Sequence, residues 1–346
     1  MRHIVTEADA GEKEHRTITK EAERNKHIKT ENIKTLRPSD FSGYIGQEKV
    51  KAQILTAVQS ALIRKTAVPH ILLYGAPGLG KTTIARLVAD AVGSRLVEIT
   101  GPSIEKPADA ASVIYTLKDR DVLFIDEIHR MDKKAEEMLY SAMEDMKLHL
   151  TVGVGEQAKV VSLDLPAFTL IGATTRAGMI SAPLRDRFQI ICKMEYYSDE
   201  ELSLIGKNTA EKLGITVPDT SLMLLAHASR GTPRIMNNNI LRIRDYCTVH
   251  NNGEVTDEAV KAALELSGID ENGLKDIDRN VLTALAETEK PVGLSTLSHI
   301  LGEDEGTIED MVEPYLLMEG YIIKTPKGRL ITDKGKELYH DQYHNV

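Results

Sequence analysis

Short apolar runs alternate with longer amphipathic stretches from about residue 35 to residue 197. The apolar runs predict buried strands at HILLYG, SRLVEIT, DVLFID, FTLIGAT and QIICKM. Between some of them apolar residues recur at helical spacing, as in KTTIARLVADAV and KKAEEMLYSAMEDM. Strands that alternate with helices favour a parallel sheet with helices on both faces. We therefore expect a large α/β domain over residues 35–197.

Residues 198–272 carry helical signals only. DEELSLIGKNTAEKL starts with acidic residues and continues with apolar residues at helical spacing. PDTSLMLLAHAS and TDEAVKAALELS each start with residues that cap helices. These patterns predict a small all-helical domain.

Residues 273–346 combine three helical patterns with a hairpin pattern. DRNVLTALAET, LSTLSHILG and TIEDMVEPYLLMEG predict short helices. YIIKTPKGRLIT predicts two strands joined by a turn that contains Pro and Gly. Three helices and a β-hairpin are typical of a winged helix-turn-helix domain.

Residues 1–34 mix acidic and basic side chains with few large apolar ones. Such a composition buries too little apolar surface to fold alone, so we expect a mobile or weakly helical extension. The alternative is an N-terminal helix that packs on the following domain.

The bulk composition is typical of a soluble globular protein, with 42% hydrophobic and 27% charged residues among 346. No apolar run reaches the roughly 18 residues of a membrane span, and the N-terminus lacks the apolar core of a signal peptide. Cys192 and Cys247 form no disulfide framework and no metal-binding spacing. A reducing cytoplasm is therefore the expected location.

The net charge of −9 argues against a protein that wraps nucleic acid over its whole surface. The lack of Trp and the 4% aromatic content argue against recognition by stacking of many bases. Both observations leave room for a local basic strip on one domain.

GAPGLGKTT, residues 75–83, follows a predicted strand and opens a predicted helix, which is the context of a P-loop. Gly75 and Gly80 let backbone N–H groups surround phosphate oxygens at a helix N-terminus. Lys81 would contact the β- and γ-phosphates of ATP, and the Thr82 hydroxyl would bind Mg²⁺. The alternative is a Gly-rich loop that binds no ligand.

DVLFIDEIH places Asp126 and Glu127 at the end of a buried strand. Asp126 would hold Mg²⁺ through a water, and Glu127 would orient and polarise the attacking water. GATTR ends the next strand, which we expect beside the first two, and Thr175 there would hydrogen-bond the γ-phosphate or the water. The alternatives are an acidic strand end that only caps a helix and a hydroxyl that satisfies a strand end.

Arginines outside the P-loop could add positive charge at the phosphates. SAPLRDRF lies at the edge of the nucleotide domain, where Arg187 would face the ATP of the next subunit in a ring and Arg185 would be structural. RGTPRIMNN opens a helix in the second domain, and Arg234 could reach the nucleotide from there. The alternatives are that both arginines of SAPLRDRF pair with Asp186 or other local acids, and that Arg234 is a surface residue.

The order of these motifs resembles that of the AAA+ ATPases, and a longer set of segments resembles the RuvB family among them. The segments are LRP…YIGQ, GPSIEKP, FIDEIHR, LYSAMED, LDLPAFTLIGATTRAG, SAPLRDRF, RGTPRI, VGLSTL and TIEDMVEPYLLMEGYI. The resemblance runs from about Leu36 to about Tyr339. It implies an AAA+ P-loop domain, a small helical lid domain and a C-terminal winged-helix domain.

The resemblance also implies an ATP-driven motor that pulls duplex DNA through a hexameric ring. Such a motor moves Holliday junctions in homologous recombination, DNA repair and the SOS response, without sequence preference. Two rings would flank a junction bound by RuvA, and RuvC would join the complex as the resolvasome forms.

Family roles carry over to the matching residues. Leu36 and Arg37 would lie by the adenine, Tyr197 would contact the nucleotide, and Asp126 and Glu127 would be the Walker B pair. The other nucleotide contacts that the resemblance implies are Gly78, Lys81, Thr82, Thr83, Glu144, Asp145, Met146, Thr175 as first sensor, Arg187 as trans finger and Arg234 as second sensor.

LHLTVGVGEQAKVVSLDL, near residues 148–165, resembles the β-hairpin by which the family docks on RuvA. Leu150, Val152 and Val154 alternate as one face of a hairpin would. The alternative is an ordinary surface hairpin.

The third domain is acidic overall, with eight Lys and Arg against 14 Asp and Glu in residues 275–346. Five basic residues nevertheless cluster around a single Asp333: Lys324, Lys327, Arg329, Lys334 and Lys336. We expect the first three to bind DNA phosphates.

The chain departs from the family pattern at a few positions. Lys324 and Lys327 stand in a region that is richer in arginine in the family, and lysine keeps the charge but loses bidentate phosphate geometry. Asn238 stands where an arginine is usual, and Gln189 where a glycine is usual.

Two other functions share part of these features. A different AAA+ machine, such as a clamp-loader-like ATPase, is disfavoured by the winged-helix hairpin and by the long LTVGVGEQAKVVSL segment. A DNA-binding regulator that only senses ATP is disfavoured by intact Lys81, Asp126, Glu127 and Arg187.

Overall fold

The computed structural model describes residues 36–152, 159–270, 272–288 and 290–343. The predicted extension 1–34 and Val154 of the predicted hairpin lie outside these residues. The described residues fall into two compact units. The first runs to Gly214 and includes Thr232–Asn237, and the second takes Ile215–Gly231 and continues from Asn238.

The strands in chain order are β1 (Ile71–Tyr74), β2 (Leu96–Thr100), β3 (Val122–Asp126), β4 (Lys147–Val152), β5 (Lys159–Asp164), β6 (Thr169–Thr174), β7 (Ile190–Lys193), β8 (Ile322–Thr325) and β9 (Gly328–Ile331). Five of them form a parallel sheet in the order β2-β3-β6-β1-β7, and the others pair as the antiparallel hairpins β4-β5 and β8-β9. Every residue of β6, in the middle of the sheet, is buried, as expected for a parallel strand. The predicted parallel sheet is confirmed.

The α-helices in chain order are α1 (Glu48–Arg64), α2 (Lys81–Val92), α3 (Pro107–Tyr115), α4 (Lys133–Glu144), α5 (Ala182–Arg185), α6 (Asp199–Leu213), α7 (Asp219–His227), α8 (Pro233–His250), α9 (Asp257–Leu266), α10 (Asp276–Thr288), α11 (Leu294–Leu301), α12 (Glu305–Thr307), α13 (Glu313–Met318) and α14 (Asp333–Tyr343). The sequence patterns above do not include α1, α3 or α14. No helix in the described part of the chain is long and apolar enough to cross a membrane.

The carboxyl ends of β1, β3 and β6 lie side by side because β6 pairs with both of the other strands. Tyr74 of β1 is in register with Thr174 of β6. The P-loop follows β1, Asp126 ends β3, and Thr175 follows β6. The topology therefore brings three predicted motifs to one edge of the sheet, the edge where parallel α/β sheets bind ligands.

The winged-helix segment of the second unit has its own hydrophobic core, formed from α10, α11, α13 and the β8-β9 hairpin. Val292 forms an isolated bridge to Arg329 of β9, which adds a third backbone segment beside the hairpin. Three helical segments and a two-stranded wing confirm the predicted winged-helix pattern.

The predicted helix TIEDMVEPYLLMEG is not one regular helix. A π-helical segment, Ile308–Val312, separates α12 from α13. Pro314 stands in the first turn of α13 and has no N–H to donate to the preceding turn. A local widening of the helix at this point is the expected response to the missing hydrogen bond.

Arg230 and Asp278 form a buried ion pair within the second unit. Arg230 also donates from Nε and Nη2 to the carbonyl oxygen of Gly273 at 3.1 and 2.8 Å. Its guanidinium lies 4.4 Å from the ring centre of Tyr315. Asp278 accepts in addition from the backbone N–H of Lys275 at 2.7 Å. These contacts fasten the turn after α7 to the start of α10.

Candidate nucleotide-hydrolysis site

The loop between β1 and α2 has the backbone of a phosphate-binding loop. Gly78 and Gly80 have φ angles of 83° and 100°, which a side chain would strain. A Cβ atom at Gly80 would stand 2.7 Å from the hydroxyl of Tyr44, and one at Gly78 would stand 2.6 Å from Cγ2 of Thr232. The loop leads into the N-terminus of α2, where free N–H groups favour an anion.

Lys81 is folded back over this loop. Its Nζ donates to the carbonyl oxygens of Gly75 and Ala76, each at 2.8 Å. Burial lowers the pKa of the ammonium group, and the carboxylates of Asp126 and Glu127 oppose that shift. Lys81 and the two acids at the end of β3 thus lie within electrostatic reach of each other.

The ends of β3 and β6 meet in a small polar cluster. Oδ1 of Asp126 accepts the N–H of Glu127 at 3.0 Å. Glu127 has a left-handed backbone, with φ of 50°. The Thr175 hydroxyl donates to Oε2 of Glu127 at 3.4 Å. The structure therefore brings the three predicted hydrolysis residues of these strands together.

Arg234 lies in the first turn of α8, in the part of that helix that belongs to the first unit. A Cβ atom added at Gly78 would stand 3.1 Å from the Cβ of Arg234, so Arg234 lies directly against the P-loop. Its charge acts on Lys81 and on Arg37. The predicted second sensor therefore lies beside the phosphate-binding loop.

A cavity of about 100 Å³ opens beside the P-loop within the first unit. Lys212 closes part of its wall, since its Nζ donates to the carbonyl oxygens of Leu36 and Arg37 at 3.1 and 2.9 Å. The lining residues are Leu36, Arg37, Pro38, Gly43, Tyr44, Ile45, Gly80, Thr83, Tyr197, Ile205, Asn208, Thr209, Lys212, Pro233 and Asn237. Leu36, Arg37, Gly80, Thr83 and Tyr197 are predicted nucleotide contacts, so the cavity gathers five of them.

Two tyrosines support the P-loop from this cavity. The hydroxyl of Tyr197 donates to that of Tyr44 at 3.0 Å and also lies 3.3 Å from the carbonyl oxygen of Leu79. Burial raises the pKa of Tyr197 to about 12 and that of Tyr44 well above its ordinary value. Both phenols are therefore neutral hydrogen-bonding groups near pH 7.

Tyr44, Asn208, Lys212 and Asn237 are residues that the sequence motifs miss. Tyr44 belongs to the YIGQ segment, which resembles the family but carries no chemistry by itself. The other three lie on α6 and α8, where a polar residue is most often a surface residue. Only the folded arrangement places them in the cavity wall.

Arg187 has partners within its own chain. It donates from Nη2 to Oε2 of Glu144 and from Nη1 to the carbonyl oxygen of Pro183, both at 2.7 Å. Its guanidinium lies 4.6 Å from the ring centre of Tyr140. Arg185 lies 4.0 Å from Asp186 and is exposed. The alternative that an arginine of SAPLRDRF pairs with an acid of its own chain therefore applies to Arg187, whose partner is Glu144.

Glu144 is the last residue of α4, and Asp145 and Met146 connect it to β4. Glu144 and Asp145 are exposed, and Met146 has φ of 53°. None of the three lines the cavity beside the P-loop. Of the three, Glu144 binds Arg187.

The predicted DNA-binding residues of the β8-β9 hairpin differ in their surroundings. Glu313 is fully buried and binds Arg329, with Arg329 Nη2 donating to Oε2 at 3.2 Å. Lys324 Nζ lies 2.7 Å from Glu313 and 3.4 Å from Glu309. Lys327 is exposed in the turn of the hairpin. Two of the three cations therefore already have carboxylate partners.

Gln189 and Asn238 have different surroundings. Oε1 of Gln189 accepts the backbone N–H of His70 at 2.8 Å, so the side chain holds the start of β1 to the start of β7. Asn238 is exposed on α8. Nothing in the structure explains the asparagine at this position.

Three family models match consecutive parts of the chain. Residues 36–194 match the model described as Holliday junction DNA helicase RuvB P-loop domain. Residues 197–270 match the RuvB AAA lid domain, and residues 271–340 match the RuvB C-terminal winged helix domain. Together the matches cover residues 36–340 apart from residues 195 and 196.

Curated relatives and solved structures agree with these models. A protein of Fusobacterium nucleatum named Holliday junction branch migration complex subunit RuvB is 46% identical over 308 residues, covering 88% of this chain and 93% of the relative. A protein of Clostridium kluyveri with the same name is 47% identical, with 88% of each chain covered. The structure named Thermotoga maritima RuvB Holliday junction branch migration motor is 39% identical with a TM-score of 0.78, covering 88% of this chain and 97% of that one.

Proposed function

The chain belongs to the RuvB family, and from that premise we propose how its residues divide the steps of ATP-driven DNA movement. The protein is an AAA+ P-loop ATPase and a branch-migration motor for Holliday junctions, with a role in DNA recombination and repair. A clamp-loader-like ATPase is not favoured, because each matched segment is matched by a RuvB domain.

The phosphates of ATP bind along the P-loop, between Gly75 and Thr83. Its backbone N–H groups and the N-terminus of α2 attract the phosphate oxygens. Lys81 exchanges the carbonyl oxygens that it contacts for the β- and γ-phosphates, and Arg234 adds a second positive charge from α8. Adenine and ribose occupy the neighbouring cavity, between Arg37 and Tyr197.

Hydrolysis uses the acids and the hydroxyl at the sheet edge. Glu127 orients a water and accepts its proton as the water attacks the γ-phosphorus, while the bond to the β–γ bridging oxygen breaks and ADP leaves. Thr175, which contacts the Glu127 carboxylate, binds the γ-phosphate or the same water. The support for these roles is the meeting of Glu127 and Thr175 at the end of two neighbouring strands.

Mg²⁺ fits the oxygen ligands at this edge. The Thr82 hydroxyl in the first turn of α2 and the Asp126 carboxylate, acting through a water, supply hard oxygen atoms. Mg²⁺ usually takes only one or two protein ligands and completes its shell with waters and substrate phosphates. When bound there, the ion neutralises charge on the β- and γ-phosphates.

Arg187 acts on the ATP of a neighbouring subunit in a homo-hexameric ring. Two observations support this role. Arg187 contacts Glu144 and Tyr140, and it does not line the cavity beside the P-loop of its own chain. Glu144, Asp145 and Met146 belong to the same proposed interface.

The remaining contacts involve DNA and protein partners. Lys324, Lys327 and Arg329 bind DNA phosphates, with Lys327 the most accessible of the three. The hairpin near residues 148–165 docks on RuvA, supported by the antiparallel pairing of β4 and β5. RuvC joins in the resolvasome.

The proposed division of the chain follows the sequence patterns. Residues 1–34 are an extension, 35–197 the large ATPase domain, 198–272 the helical lid domain and 273–346 the winged-helix domain. A cytoplasmic location is part of the same proposal.

The observation that carries the hydrolysis proposal is the convergence of Lys81, Glu127 and Thr175 at one sheet edge. The test measures ATP hydrolysis, ATP affinity and movement of a synthetic four-way junction for wild type and Glu127→Gln. We expect Glu127→Gln to keep ATP affinity and to lose roughly 10²–10⁴-fold in kcat, together with junction movement. Glu265→Gln makes the same change on the exposed face of α9 and should alter neither activity. A normal rate in Glu127→Gln would remove Glu127 from the mechanism.

A further inference from the structure

His129 lies between the two strand ends that carry the hydrolysis residues. It belongs to the short 3₁₀ turn Ile128–Arg130 after β3, and its side chain is only 5% exposed. Its Nδ1 atom lies 2.9 Å from Oγ1 of Thr174, the last residue of β6. The same Nδ1 lies 3.4 Å from Oε2 of Glu127. The hydrolysis scheme above assigns this imidazole no role.

The surroundings of Nδ1 indicate where the imidazole carries its proton. Oγ1 of Thr174 accepts the backbone N–H of Arg176 at 2.9 Å and still has a lone pair to offer. A protonated Nδ1 can donate to that oxygen while its positive end faces the carboxylate of Glu127. An unprotonated Nδ1 would set its lone pair against the same carboxylate. The geometry therefore favours the tautomer with the proton on Nδ1.

Glu127 needs such a contact because the rest of its surroundings hold it loosely. Its backbone is left-handed, its side chain is 34% exposed, and its carboxylate contacts the Thr175 hydroxyl at 3.4 Å. A carboxylate that aims a water at phosphorus must keep its position closely, since small displacements cost large factors in rate. His129 is nearly buried and bound to β6, so it can supply that support.

We propose that His129 is a positioning residue whose Nδ1–H links the carboxylate of Glu127 to the end of β6. The sensor strand and the Walker B glutamate then shift as one group. A change at Thr175 on binding of the γ-phosphate reaches Glu127 both directly and through Thr174 and His129. This inference rests on the proposed role of Glu127 and adds a residue to it.

The test compares His129→Asn with His129→Ala in the full chain. The amide nitrogen of asparagine stands as many bonds from Cβ as Nδ1 does, so His129→Asn can keep the donor, whereas alanine removes it. We measure kcat, KM and the affinity for a fluorescent ATP analogue, with Glu127→Gln in parallel. His129→Ala should lose roughly tenfold or more in kcat, but less than Glu127→Gln, with ATP affinity changed by less than about twofold. His129→Asn should recover most of the loss.

Several outcomes would overturn the proposal. A wild-type kcat in His129→Ala means that the imidazole does not support hydrolysis. Parallel losses of kcat and ATP affinity in both variants mean that His129 acts only through packing. The Glu127→Gln control separates the two levels of inference. If Glu127→Gln hydrolyses ATP normally, the role of Glu127 fails; if it is inactive while His129→Ala is normal, only the role of His129 fails.

Discussion

The guanidinium of Arg187 is bound by the carboxylate of Glu144, with Nη2 and Oε2 2.7 Å apart, and lies against the ring of Tyr140. Tyr140 is itself held, because its hydroxyl donates to the buried Glu136 at 2.7 Å and Glu136 also accepts from Ser181. The side chain proposed to act on a neighbour's ATP is thus held in a defined position by its own subunit. Contact with a phosphate would require Arg187 to exchange or share the Glu144 carboxylate.

Mixing two inactive variants tests whether Arg187 acts on a neighbouring subunit. Arg187→Ala alone should lose roughly 10³–10⁵-fold in kcat, the usual range for an arginine finger, and Lys81→Ala alone should not bind the phosphates. In mixed rings, an intact P-loop of one subunit meets an intact arginine of the next. Hydrolysis should therefore return, and the rate should peak near equal amounts of the two variants.

The matched control for this experiment is Arg185→Ala. Arg185 is exposed and lies 4.0 Å from Asp186, so its removal should leave the rate nearly unchanged. If the Arg187→Ala and Lys81→Ala chains form mixed rings but no activity returns, Arg187 does not act in trans.

Gly80→Ala should weaken ATP binding. The added Cβ would stand 2.7 Å from the Tyr44 hydroxyl, at a backbone φ of 100°. The loop must move or the pair of tyrosines must separate. Isothermal titration with a non-hydrolysed ATP analogue measures the effect.

Gly93→Ala, at the other end of α2, separates the backbone strain from the steric clash. Gly93 also has a positive φ, of 65°, but nothing lies within 4 Å of its added Cβ. This variant should lower the free energy of unfolding by roughly 1 kcal/mol and leave ATP affinity intact. Equal ATP affinities in the two variants would contradict the proposed contact between Tyr44 and the P-loop.

The free energy of unfolding should decrease below pH 6.5 because of His70. Burial lowers the pKa of its imidazole to about 4 in the folded protein, from 6.5 in the unfolded chain. Between these values the unfolded state binds a proton that the folded state does not. Because of His70, the free energy of unfolding should be about 3 kcal/mol higher above pH 6.5 than below pH 4.

Urea unfolding at a series of pH values measures this effect against His70→Asn. Asparagine can still accept the N–H of Leu170, which Nδ1 of His70 accepts at 2.9 Å, but it cannot titrate. The variant should be less stable at pH 7 and less sensitive to pH between 6.5 and 4. Identical pH dependence in both proteins would exclude His70 as the titrating group.

Substitutions in the β8-β9 hairpin should separate DNA binding from folding. Lys327→Gln should reduce affinity for duplex DNA about equally for all sequences, and the slope of log affinity against log salt should fall by roughly one. Its thermal stability should stay the same because Lys327 is exposed. Fluorescence anisotropy at several salt concentrations gives both quantities.

Arg329→Gln should behave differently, because it leaves Glu313 with one fewer partner in a buried position. We expect a loss of stability of about 1–3 kcal/mol in the winged-helix segment, because Lys324 remains beside Glu313. If Arg329→Gln is as stable as wild type but binds DNA more weakly, Arg329 contacts phosphate and does not stabilise the fold.

The local chemistry of the site could be predicted from the sequence because it depends on short segments. The apolar residues of DVLFID favour a buried strand, and Asp126 is the last residue of that strand. A P-loop likewise needs its glycines and its lysine within a few positions. The five strands of the sheet follow from the same short apolar runs.

Residues whose roles depend on distant neighbours could not be predicted. Glu313 reads as a surface acid in a helical stretch, but it is fully buried because Arg329 and Lys324 approach it from the wing. His129 follows Asp126 and Glu127 without a motif of its own, and only the pairing of β3 with β6 brings Thr174 to it. The partner of Arg187 is 43 residues away in the chain.

The ion pair between Arg230 and Asp278 makes the winged helix poorly exchangeable between proteins. The matched lid and winged-helix domains meet between residues 270 and 271, yet Arg230 from the lid side binds Gly273 and Asp278 beyond that border. A chimera that joins this lid to a foreign winged helix lacking the acid would bury an arginine without its counter-ion, at a cost of about 3–5 kcal/mol. The border between the two matched domains is therefore not a suitable place to join this chain to another protein. A stable chimera needs to keep Arg230 and Asp278 together.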